Sequence, residues 1–299
     1  MGKIDVHADD FGESIHASRD ILDCLMAGKL DSISILSNMS CFEQCVVLYR
    51  EREKEFPNKP LLSVHLNFME GSCLERPERL PSLVDGQGHF CVSWGKLFLL
   101  SWLPGRKRVK KQLKLEMRLQ IAKVREFFPE IGALRIDSHQ HTHMIPVVAD
   151  ALFEVLEESG CQVEYIRDAR EPLFPFLKEF SLYKTYRPVN LVKNLILNIC
   201  SRLMERRLRR AGISPMYLWG LVMSGNMDRR RVEKLLPRMQ TIANKKKRTL
   251  EILFHPGRVD KEEITPEFSQ KEAIGFYLSE SRQIEKESVM KLSFKRENC

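Results

Sequence analysis

The chain has 299 residues and carries 48 Lys and Arg against 40 Asp and Glu, which gives a formal net charge of +8. With 43% hydrophobic and 29% charged residues, its composition is globular and excludes disordered, collagen-like and fibrous classes. No apolar run approaches the roughly 18 residues that span a bilayer. The polar N-terminus does not resemble a signal peptide, so we expect a cytoplasmic protein. The positive charge favours an anionic partner such as nucleic acid, phosphate or a membrane surface.

Short apolar runs rich in β-branched residues alternate with longer amphipathic stretches along the chain. The runs predict strands at residues 4–8, 32–37, 61–66, 134–138, 163–166, 216–222 and 250–254. The stretches between them predict helices at residues 13–28, 42–55, 109–128 and 147–159. Strands separated by helices indicate parallel βαβ units, because parallel neighbours need a crossover connection. The number of units favours a single-domain α/β fold, a TIM-like (β/α) barrel of about seven to eight parallel strands.

Histidines and acidic residues gather where the predicted strands end. Six of the eight histidines lie in the four segments at the ends of predicted strands, namely His7, His65, His139, His141, His143 and His255. In a parallel barrel the C-terminal ends of all strands meet on one face, where active sites are built. We therefore expect these segments to converge in space at the C-terminal strand ends.

Two adjacent carboxylates, Asp9 and Asp10, follow the first predicted strand. Like charges side by side repel, so a cation or a shared proton is expected there. The alternative is a solvated acidic turn that caps the following helix.

Three alternate histidines, His139, His141 and His143, follow Asp137 after the fourth predicted strand. On an extended segment alternate residues share a face, so Asp137, His139 and His141 are expected to point inward together. Imidazole is the commonest metal ligand and a carboxylate often orients it, although histidines satisfied within a core are the alternative. Taken alone, His65 and His255 would be a packed strand histidine and a loop residue.

Combined, these segments supply one carboxylate and two histidines for a facial metal site with open coordination positions. A metal there would lower the pKa of bound water and polarise a carbonyl oxygen. A second Asp could take the proton of that water, and a further His could protonate the leaving group. The pattern therefore predicts metal-assisted hydrolysis of an amide or ester.

These residues make the chain resemble the YdjC/ChbG family of carbohydrate deacetylases. The matching motifs are Ala8-Asp-Asp-Phe-Gly12, His65-Leu-Asn67 followed by Glu70-Gly71, Asp137-Ser-His-Gln-His-Thr-His143 with Pro146, Gly220-x-x-x-Ser-Gly-Asn-Met227, and Glu251-x-x-x-His-Pro-Gly257. They occur in the order and spacing of the family. The resemblance implies a distorted (β/α) barrel that removes N-acetyl groups from amino sugars such as chito-oligosaccharides, and a homodimer would be in keeping with it.

The resemblance also implies roles for individual residues. Asp10, His65 and His139 would hold a divalent metal, usually Mg²⁺, although Zn²⁺, Mn²⁺ or Co²⁺ also suit these ligands. Asp9 would be the general base and His255 the acid or transition-state stabiliser. The supporting or substrate-facing residues would be Asp137, His141, His143 and Asn67.

The chain departs from the family pattern at two places. His7 stands where the family usually has Asn, so the hydrogen bond behind the acidic pair is expected to differ. Residues 291–295 form only a weak candidate for a strand that closes the barrel.

Basic residues cluster in residues 106–114, 202–210 and 245–248. Residues 191–210 fit either an amphipathic helix on an anionic membrane surface or an ordinary packed helix with a solvated basic end. The membrane alternative would imply a lipid-linked or cell-envelope amino sugar as substrate. A nucleic-acid binder is not expected, because these runs hold almost no aromatic residues and no finger, homeodomain or RRM motif occurs. An idle carbohydrate-binding barrel is the remaining alternative.

Eight cysteines are spread along the chain, and Cys41 and Cys45 are the only close pair. No second pair repeats their spacing, as a zinc-binding motif would require. We expect reduced thiols rather than a metal or disulfide framework.

Overall fold

Seven parallel strands form one curved sheet in the computed structural model, which describes residues 3–294. The spatial order is β5-β4-β3-β2-β1-β7-β6. The strands are β1 (Ile4–Phe11), β2 (Ser32–Ile35), β3 (Leu61–Leu66), β4 (Leu134–Ser138), β5 (Val163–Ile166), β6 (Tyr217–Trp219) and β7 (Leu250–Phe254). The predicted α/β fold of about seven parallel strands is confirmed as a curled, barrel-like sheet.

Ten α-helices cover the sheet within residues 3–294. They are α1 (Ile15–Met26), α2 (Phe42–Arg52), α3 (Trp94–Leu99), α4 (Arg106–Phe127), α5 (Pro146–Ser159), α6 (Phe174–Leu177), α7 (Pro188–Arg210), α8 (Arg229–Lys245), α9 (Lys271–Tyr277) and α10 (Glu280–Lys291). None of them is long and apolar enough to cross a membrane. The four helices predicted before β2, β3, β4 and β5 are present as α1, α2, α4 and α5, and their ends lie within a few residues of the expected ones.

The inside of the curved sheet is polar although it is buried. Strand residues alternate between the two faces, so Ile4, Val6 and Ala8 pack in the apolar core while Asp5 and His7 belong to the other face. Side chains of that other face contact one another between neighbouring strands and across the inside of the curved sheet. The contacts are His7–Ser32, Ser32–Asp5, Ser34–Asp137, His65–Asp137 and Arg135–Asp5. The fold thus surrounds a column of ionisable groups with a hydrophobic layer.

The two edge strands, β5 and β6, are not paired with each other in the part of the chain that the structure describes. One backbone hydrogen bond, from Leu218 N to Arg170 O at 3.0 Å, nevertheless connects β6 with the segment after β5. The closing strand expected at residues 291–295 is not formed where it can be checked: Lys291 ends α10 and residues 292–294 are not in a strand, while Lys295 lies outside the described residues. Helix α10 packs against β7 and α8 instead, and it buries Val289.

Strand β6 is shorter than the predicted 216–222 and ends at Trp219. Gly220 follows with a φ of +147°, and a Cβ on it would lie 2.6 Å from the Leu253 carbonyl oxygen. The buried carboxylate of Glu171 then accepts the backbone N–H groups of residues 220–222 at 2.8, 3.0 and 2.9 Å. These groups bind a side chain rather than a neighbouring strand, so the ladder stops.

If residues 191–210 formed an ordinary packed helix, the apolar stripe of Leu191, Leu195, Ile199 and Leu203 would be expected to face the core, but the structure packs another side of α7 inward. The packed face is formed by Asn194, Leu197, Cys200, Ser201, Met204 and Leu208. Leu195, Ile199 and Leu203, which belonged to the predicted core-facing stripe, are 54%, 54% and 60% exposed. The helix is apolar on two sides, so its periodicity alone did not distinguish the buried side.

Candidate metal centre and active-site pocket

A pocket opens at the C-terminal ends of the strands and has a cavity volume of about 180 Å³. Six of the nine predicted site residues line it: Asp9, Asp10, His65, His139, His141 and His255. The other three, Asn67, Asp137 and His143, are buried beside the pocket. The structure therefore brings together segments that lie up to about 245 residues apart in sequence.

A β-bulge explains how two consecutive strand residues reach the same pocket. The register of β1 with β2 shifts between Ala8 and Phe11. Asp10 has a φ of +72°, in the left-handed region that a non-glycine residue seldom adopts. Because consecutive residues of a regular strand point to opposite faces, Asp9 and Asp10 can both line the pocket only with such an irregularity.

Asp10, His65 and His139 each offer a ligand-type atom, and these three atoms lie within 4.8 Å of one another. Asp10 Oδ1 is 3.4 Å from His65 Nε2 and 3.0 Å from His139 Nδ1. Three other groups of acids and histidines are as compact within residues 3–294, but only this one lies entirely on the pocket wall. The predicted ligand set is thus the best candidate for a metal centre.

The protonation pattern of His65 suits a metal ligand. Its Nδ1 lies 2.7 Å from Asp137 Oδ1, so this nitrogen carries the proton that it donates to the carboxylate. Its Nε2 is buried and has no hydrogen-bond partner among the described residues. Burial would lower the pKa of His65, but the carboxylates of Asp9, Asp10 and Asp137 raise it to about 10, so a cation bound at Nε2 would replace a proton there.

His139 fits a cation as well. Tyr277 Oη donates to Glu70 Oε2 at 2.6 Å, so His139 Nε2, 2.9 Å from the same oxygen, must donate to it. A neutral ring would then direct its unprotonated Nδ1 at Asp10 Oδ1, 3.0 Å away. Two acceptors at that distance repel unless a proton or a metal ion lies between them. The donor set of the pocket therefore fits a divalent metal.

The second oxygen of Asp10 is held by a buried arginine. Arg282 on α10 donates to Asp10 Oδ2 at 2.6 Å and to Glu13 Oε2 at 2.5 Å. Burial would raise the pKa of Asp10, but His139 and Arg282 outweigh it and hold the pKa well below its usual range. Asp10 is consequently ionised, as a ligand must be.

Asp9 forms a two-pronged ion pair with Arg167, which follows β5 and is fully buried. The Arg167 Nη1 and Nη2 atoms each lie 2.8 Å from one oxygen of Asp9. Burial would raise the pKa of Asp9, but Arg167 and His65 lower it well below the usual range. Asp9 is therefore an oriented, ionised carboxylate on the pocket wall, and Arg167 was not among the predicted site residues.

His7, which stands where the family usually has Asn, lies behind the acidic pair Asp9 and Asp10. Its ring bridges two serines of β2, with Nδ1 2.6 Å from Ser32 Oγ and Nε2 2.6 Å from Ser34 Oγ. Nε2 also lies 3.2 Å from Asp9 Oδ1. Ser34 continues the chain of contacts by donating to Asp137 Oδ2 at 2.5 Å. These polar contacts inside the sheet thus connect His7 and Asp137 with Asp9 on the pocket wall.

The segment after β4 is not extended as expected. Residues His139–Met144 form a 3₁₀ turn in which Gln140 and His141 have φ of +53° and +57°. The alternation argument for His141 was therefore wrong, although the turn still places His141 on the pocket wall. His143 points elsewhere and contacts Ser138 Oγ and the Arg167 carbonyl oxygen at 2.6 and 2.8 Å.

Asn67 acts within the frame of the pocket. Its side chain donates to the Glu70 carbonyl oxygen at 2.8 Å and accepts from the backbone N–H of Met69 at 2.9 Å. Glu70 is the residue that binds Tyr277. Asn67 thereby positions the Glu70–Tyr277 pair that contacts His139.

The opposite side of the pocket carries His255 and Lys193. His255 N donates to Glu285 Oε2 at 2.7 Å, and its buried Nδ1 has no hydrogen-bond partner within residues 3–294. Lys193 of α7 forms no ion pair with any described carboxylate, and burial lowers its pKa to about 8. Both residues line the pocket and bring a side-chain nitrogen to its wall.

A family model described as YdjC-like protein matches residues 3–297. The chain belongs to the YdjC family. It is 27% identical over 172 residues to a carbohydrate deacetylase of Danio rerio, a match that covers 57% of this chain and 50% of the relative. It is 31% identical over 165 residues to a carbohydrate deacetylase of Brevibacillus brevis, covering 54% and 59%. The chain spans about half the length of these curated relatives.

The fold of this YdjC-family chain also matches a solved structure. A protein of Enterococcus faecalis V583 with a proposed role in cellobiose-phosphate cleavage superposes with a TM-score of 0.59 over 97% of this chain and 95% of that chain. The sequence identity is 16%, so this likeness concerns the fold alone.

Sequence reasoning missed several charged and aromatic residues of the site. Arg167 had a usable signal, because it stands at a C-terminal strand end as the predicted residues do. Tyr277 and Arg282 had none, because they come from helices after the last strand and follow no recognisable spacing. Their role follows only from the packing of α9 and α10 over the pocket.

Proposed function

We propose that this YdjC-family protein is a metal-dependent carbohydrate deacetylase that removes an N-acetyl group from an amino sugar, of the kind found in chito-oligosaccharides. The observation that carries the proposal is the convergence of Asp10, His65 and His139 within 4.8 Å on a pocket wall that also holds Asp9 and His255. The names of the curated relatives support the substrate class.

Asp10, His65 and His139 would hold the metal, for which Mg²⁺ is the first candidate and Zn²⁺, Mn²⁺ or Co²⁺ are alternatives. When bound, a divalent ion polarises the acetyl carbonyl and lowers the pKa of a water molecule. Asp137 accepts the Nδ1–H of His65, so Nε2 is the nitrogen that is left for the metal. Arg282 keeps Asp10 ionised and limits it to one free oxygen.

Asp9 is the candidate general base. The Arg167 fork uses one lone pair of each Asp9 oxygen, and a carboxylate has about four such sites, so Asp9 can still accept the proton of the attacking water. Its low pKa makes it a weak base by itself. It therefore depends on a water molecule that is already acidified, which agrees with a metal-dependent reaction.

His255 is the candidate acid. Hydrolysis of the acetamide forms a bond between the water oxygen and the carbonyl carbon, and then breaks the bond between that carbon and nitrogen. His255 would donate a proton to the departing amine, and acetate and a free amino sugar would leave. Glu285 holds the backbone of His255, and the ring packs edge-on to Phe276 with centroids 5.8 Å apart.

The sugar would be held by the polar wall formed by His141, Asn190, Lys193 and Ser224. The buried Nδ1 of His141 has no hydrogen-bond partner within the described part of the chain, so it is available to a hydroxyl group. Ser224 of this wall follows the loop whose backbone N–H groups at residues 220–222 bind Glu171. The polar wall favours a polar ligand over an apolar one, because a polar ligand can form hydrogen bonds with it.

The test measures acetate release from a panel of N-acetylated sugars, with the enzyme first treated with a chelator and then given each metal in turn. Asp9→Asn should lose turnover and keep its metal content, whereas His139→Ala should lose both. His16→Ala, which changes a histidine on α1 outside the pocket, is the matched control and should keep both.

Three results would contradict the proposal. Full acetate release by Asp9→Asn would remove Asp9 as the base. Equal metal content in wild type, His139→Ala and His16→Ala would remove the ligand assignment. Absence of acetate release from every sugar of the panel with every metal would reject the deacetylase function itself.

A further inference from the structure

Helix α7 exposes an apolar stripe over more than three turns. Val192, Leu195, Ile199 and Leu203 lie three or four residues apart, so they share one side of the helix. Their side chains are 54–60% exposed. Surface leucines that occur singly need no explanation, but a continuous stripe beside a pocket indicates a binding surface.

The same side of α7 continues into positive charge. Arg206 and Arg210 follow Leu203 at the spacing of the stripe, and Arg202 is their neighbour. None of these three arginines forms an ion pair with a carboxylate of residues 3–294, and all three are exposed. The only acid of α7 is Glu205, which is already paired with Arg170, Arg209 and Arg248.

A second exposed apolar group lies near the C-terminal half of this stripe. Leu99, Trp102 and Leu103 are 59%, 61% and 51% exposed. The hydroxyl of Ser101, within this group, accepts the backbone N–H of Val147 at the start of α5. The start of α5 in turn lines a cavity together with Leu203, so the two apolar groups flank the same helix end.

The stripe is also connected with the pocket. Asn190 and Lys193 line the pocket, and they alternate along α7 with Val189 and Val192, which are 68% and 58% exposed. A surface that covered the stripe would therefore lie at the pocket mouth.

A second copy of the chain fits this surface poorly. In a two-fold dimer through α7 the same patch faces itself, so its arginines would meet either arginines or the apolar stripe. The patch offers no free carboxylate to compensate them. An anionic bilayer supplies both an apolar phase for the stripe and negative headgroups for the arginines.

We propose that the exposed side of α7, with Val192, Leu195, Ile199, Leu203, Arg206 and Arg210, docks the protein on an anionic lipid bilayer, and that the pocket there acts on acetylated amino sugars carried by membrane lipids. The second half of this statement rests on the proposed deacetylase function. The first half does not, because it concerns binding to lipid alone.

Co-sedimentation with vesicles tests the binding, with phosphatidylglycerol mixed into phosphatidylcholine and with phosphatidylcholine alone. The wild-type protein should bind only the anionic vesicles and should dissociate at high salt. Arg206→Gln/Arg210→Gln should weaken binding about 30-fold, and Ile199→Gln/Leu203→Gln about tenfold or more. Val47→Gln on α2, which replaces an equally exposed valine, is the control and should bind as the wild type does.

The activity arm compares acetate release from an N-acetylglucosamine glycolipid in those vesicles with release from the soluble sugar. Both α7 variants should lose rate on the vesicles and keep the rate on the soluble sugar, because none of the four residues lines the pocket. Equal loss on both would show a structural defect and overturn the lipid-substrate assignment.

Three results would overturn the docking proposal. They are failure of the wild-type protein to bind anionic vesicles at low salt, equal weakening by Val47→Gln, and a dimer in light scattering that the Ile199→Gln/Leu203→Gln variant dissociates. An inactive wild type that still binds vesicles through α7 would reject the deacetylase function and leave the docking surface standing. The two failures are therefore distinguishable.

Discussion

Replacement of Arg167 should be among the most damaging single substitutions outside the hydrophobic core. Its guanidinium is fully buried and lies 2.8 Å from both oxygens of Asp9, 3.3 Å from Asp137 Oδ2 and 2.6 Å from Glu251 Oε1. Arg167→Met keeps most of the side-chain volume but leaves three buried carboxylates without their cation. Breaking such a buried pair costs about 3–5 kcal/mol of unfolding free energy.

At roughly 2–4 °C per kcal/mol for a chain of this size, thermal denaturation of Arg167→Met should shift down by about 6–20 °C. Arg118→Met is the control, because Arg118 and Glu158 form an exposed ion pair with side chains 46% accessible, and it should change stability by no more than about 1 kcal/mol.

A double-mutant cycle separates the charge effect from the loss of packing. If the damage arises from the uncompensated carboxylate, adding Asp9→Asn to Arg167→Met should recover about 1–3 kcal/mol. Urea denaturation of the two single variants, the double variant and the wild type provides the four values. A double variant as unstable as the sum of the two singles, or an Arg167→Met no worse than Arg118→Met, would refute the reasoning.

Three further predictions concern the frame of the pocket. Glu171→Ala should lose about 3–5 kcal/mol of unfolding free energy in urea denaturation, because the backbone N–H groups of residues 220–222 lose their acceptor. A loss below about 1 kcal/mol would contradict this prediction. Burial raises the pKa of Asp168 to about 6, so the native state binds a proton more readily than the unfolded state does. The free energy of unfolding of the wild type, relative to that of Asp168→Asn, should therefore fall as pH rises from about 4 to about 6. A difference in urea denaturation that stays constant across this range would contradict the prediction. Gly257→Ala should unfold at a lower temperature than Gly132→Ala. The φ of Gly257 is +92° and a Cβ there would lie 2.6 Å from a neighbouring side chain, whereas a Cβ on Gly132 would meet open space. Equal melting temperatures of the two variants would reject this steric argument.

The strand ends were predictable from sequence because two simple rules act together. Alternating residues place His7 on the polar side of β1 and Val6 in the core, and parallel topology brings all C-terminal strand ends to one edge. These rules need no knowledge of the loops. They were sufficient to place His65 of β3 and His139 after β4 on the same pocket as Asp10.

The direction of side chains at backbone irregularities could not be predicted in this way. The position of His141 depends on two left-handed residues in a 3₁₀ turn, and that of Asp10 on a bulge in β1. Both conformations are stabilised by tertiary contacts rather than by local preference, so no periodic pattern announces them. Arg282 and Tyr277 reach the site from α9 and α10, whose position over the pocket is a property of the packed chain.

Helix α7 shows a different limit, because its sequence is apolar on two sides. The spacing of apolar residues identifies the buried side of a helix only when the opposite side is polar. In α7, Leu197 and Leu208 lie on the buried side, but Leu195 and Leu203 are exposed on another. Only the packed structure distinguishes a side that the core covers from a side that solvent meets. The exposed side then becomes evidence about a partner.

The net charge of +8 combines two regions that differ in their ionisable groups. The buried column and the pocket hold the carboxylates of Asp5, Asp9, Asp10, Glu13, Glu70, Asp137 and Glu251, against the buried guanidinium groups of Arg167 and Arg282. Burial raises the pKa of Glu13 to about 8 and also raises the pKa values of Glu70 and Glu251, so not every buried carboxyl group carries a charge. Positive charge without a paired carboxylate lies outside the column, on surfaces such as that of Arg206 and Arg210. Because the apolar layer separates the two regions, the positive charge of the exterior does not describe the pocket, where the carboxylates of Asp9 and Asp10 converge with the imidazoles of His65 and His139.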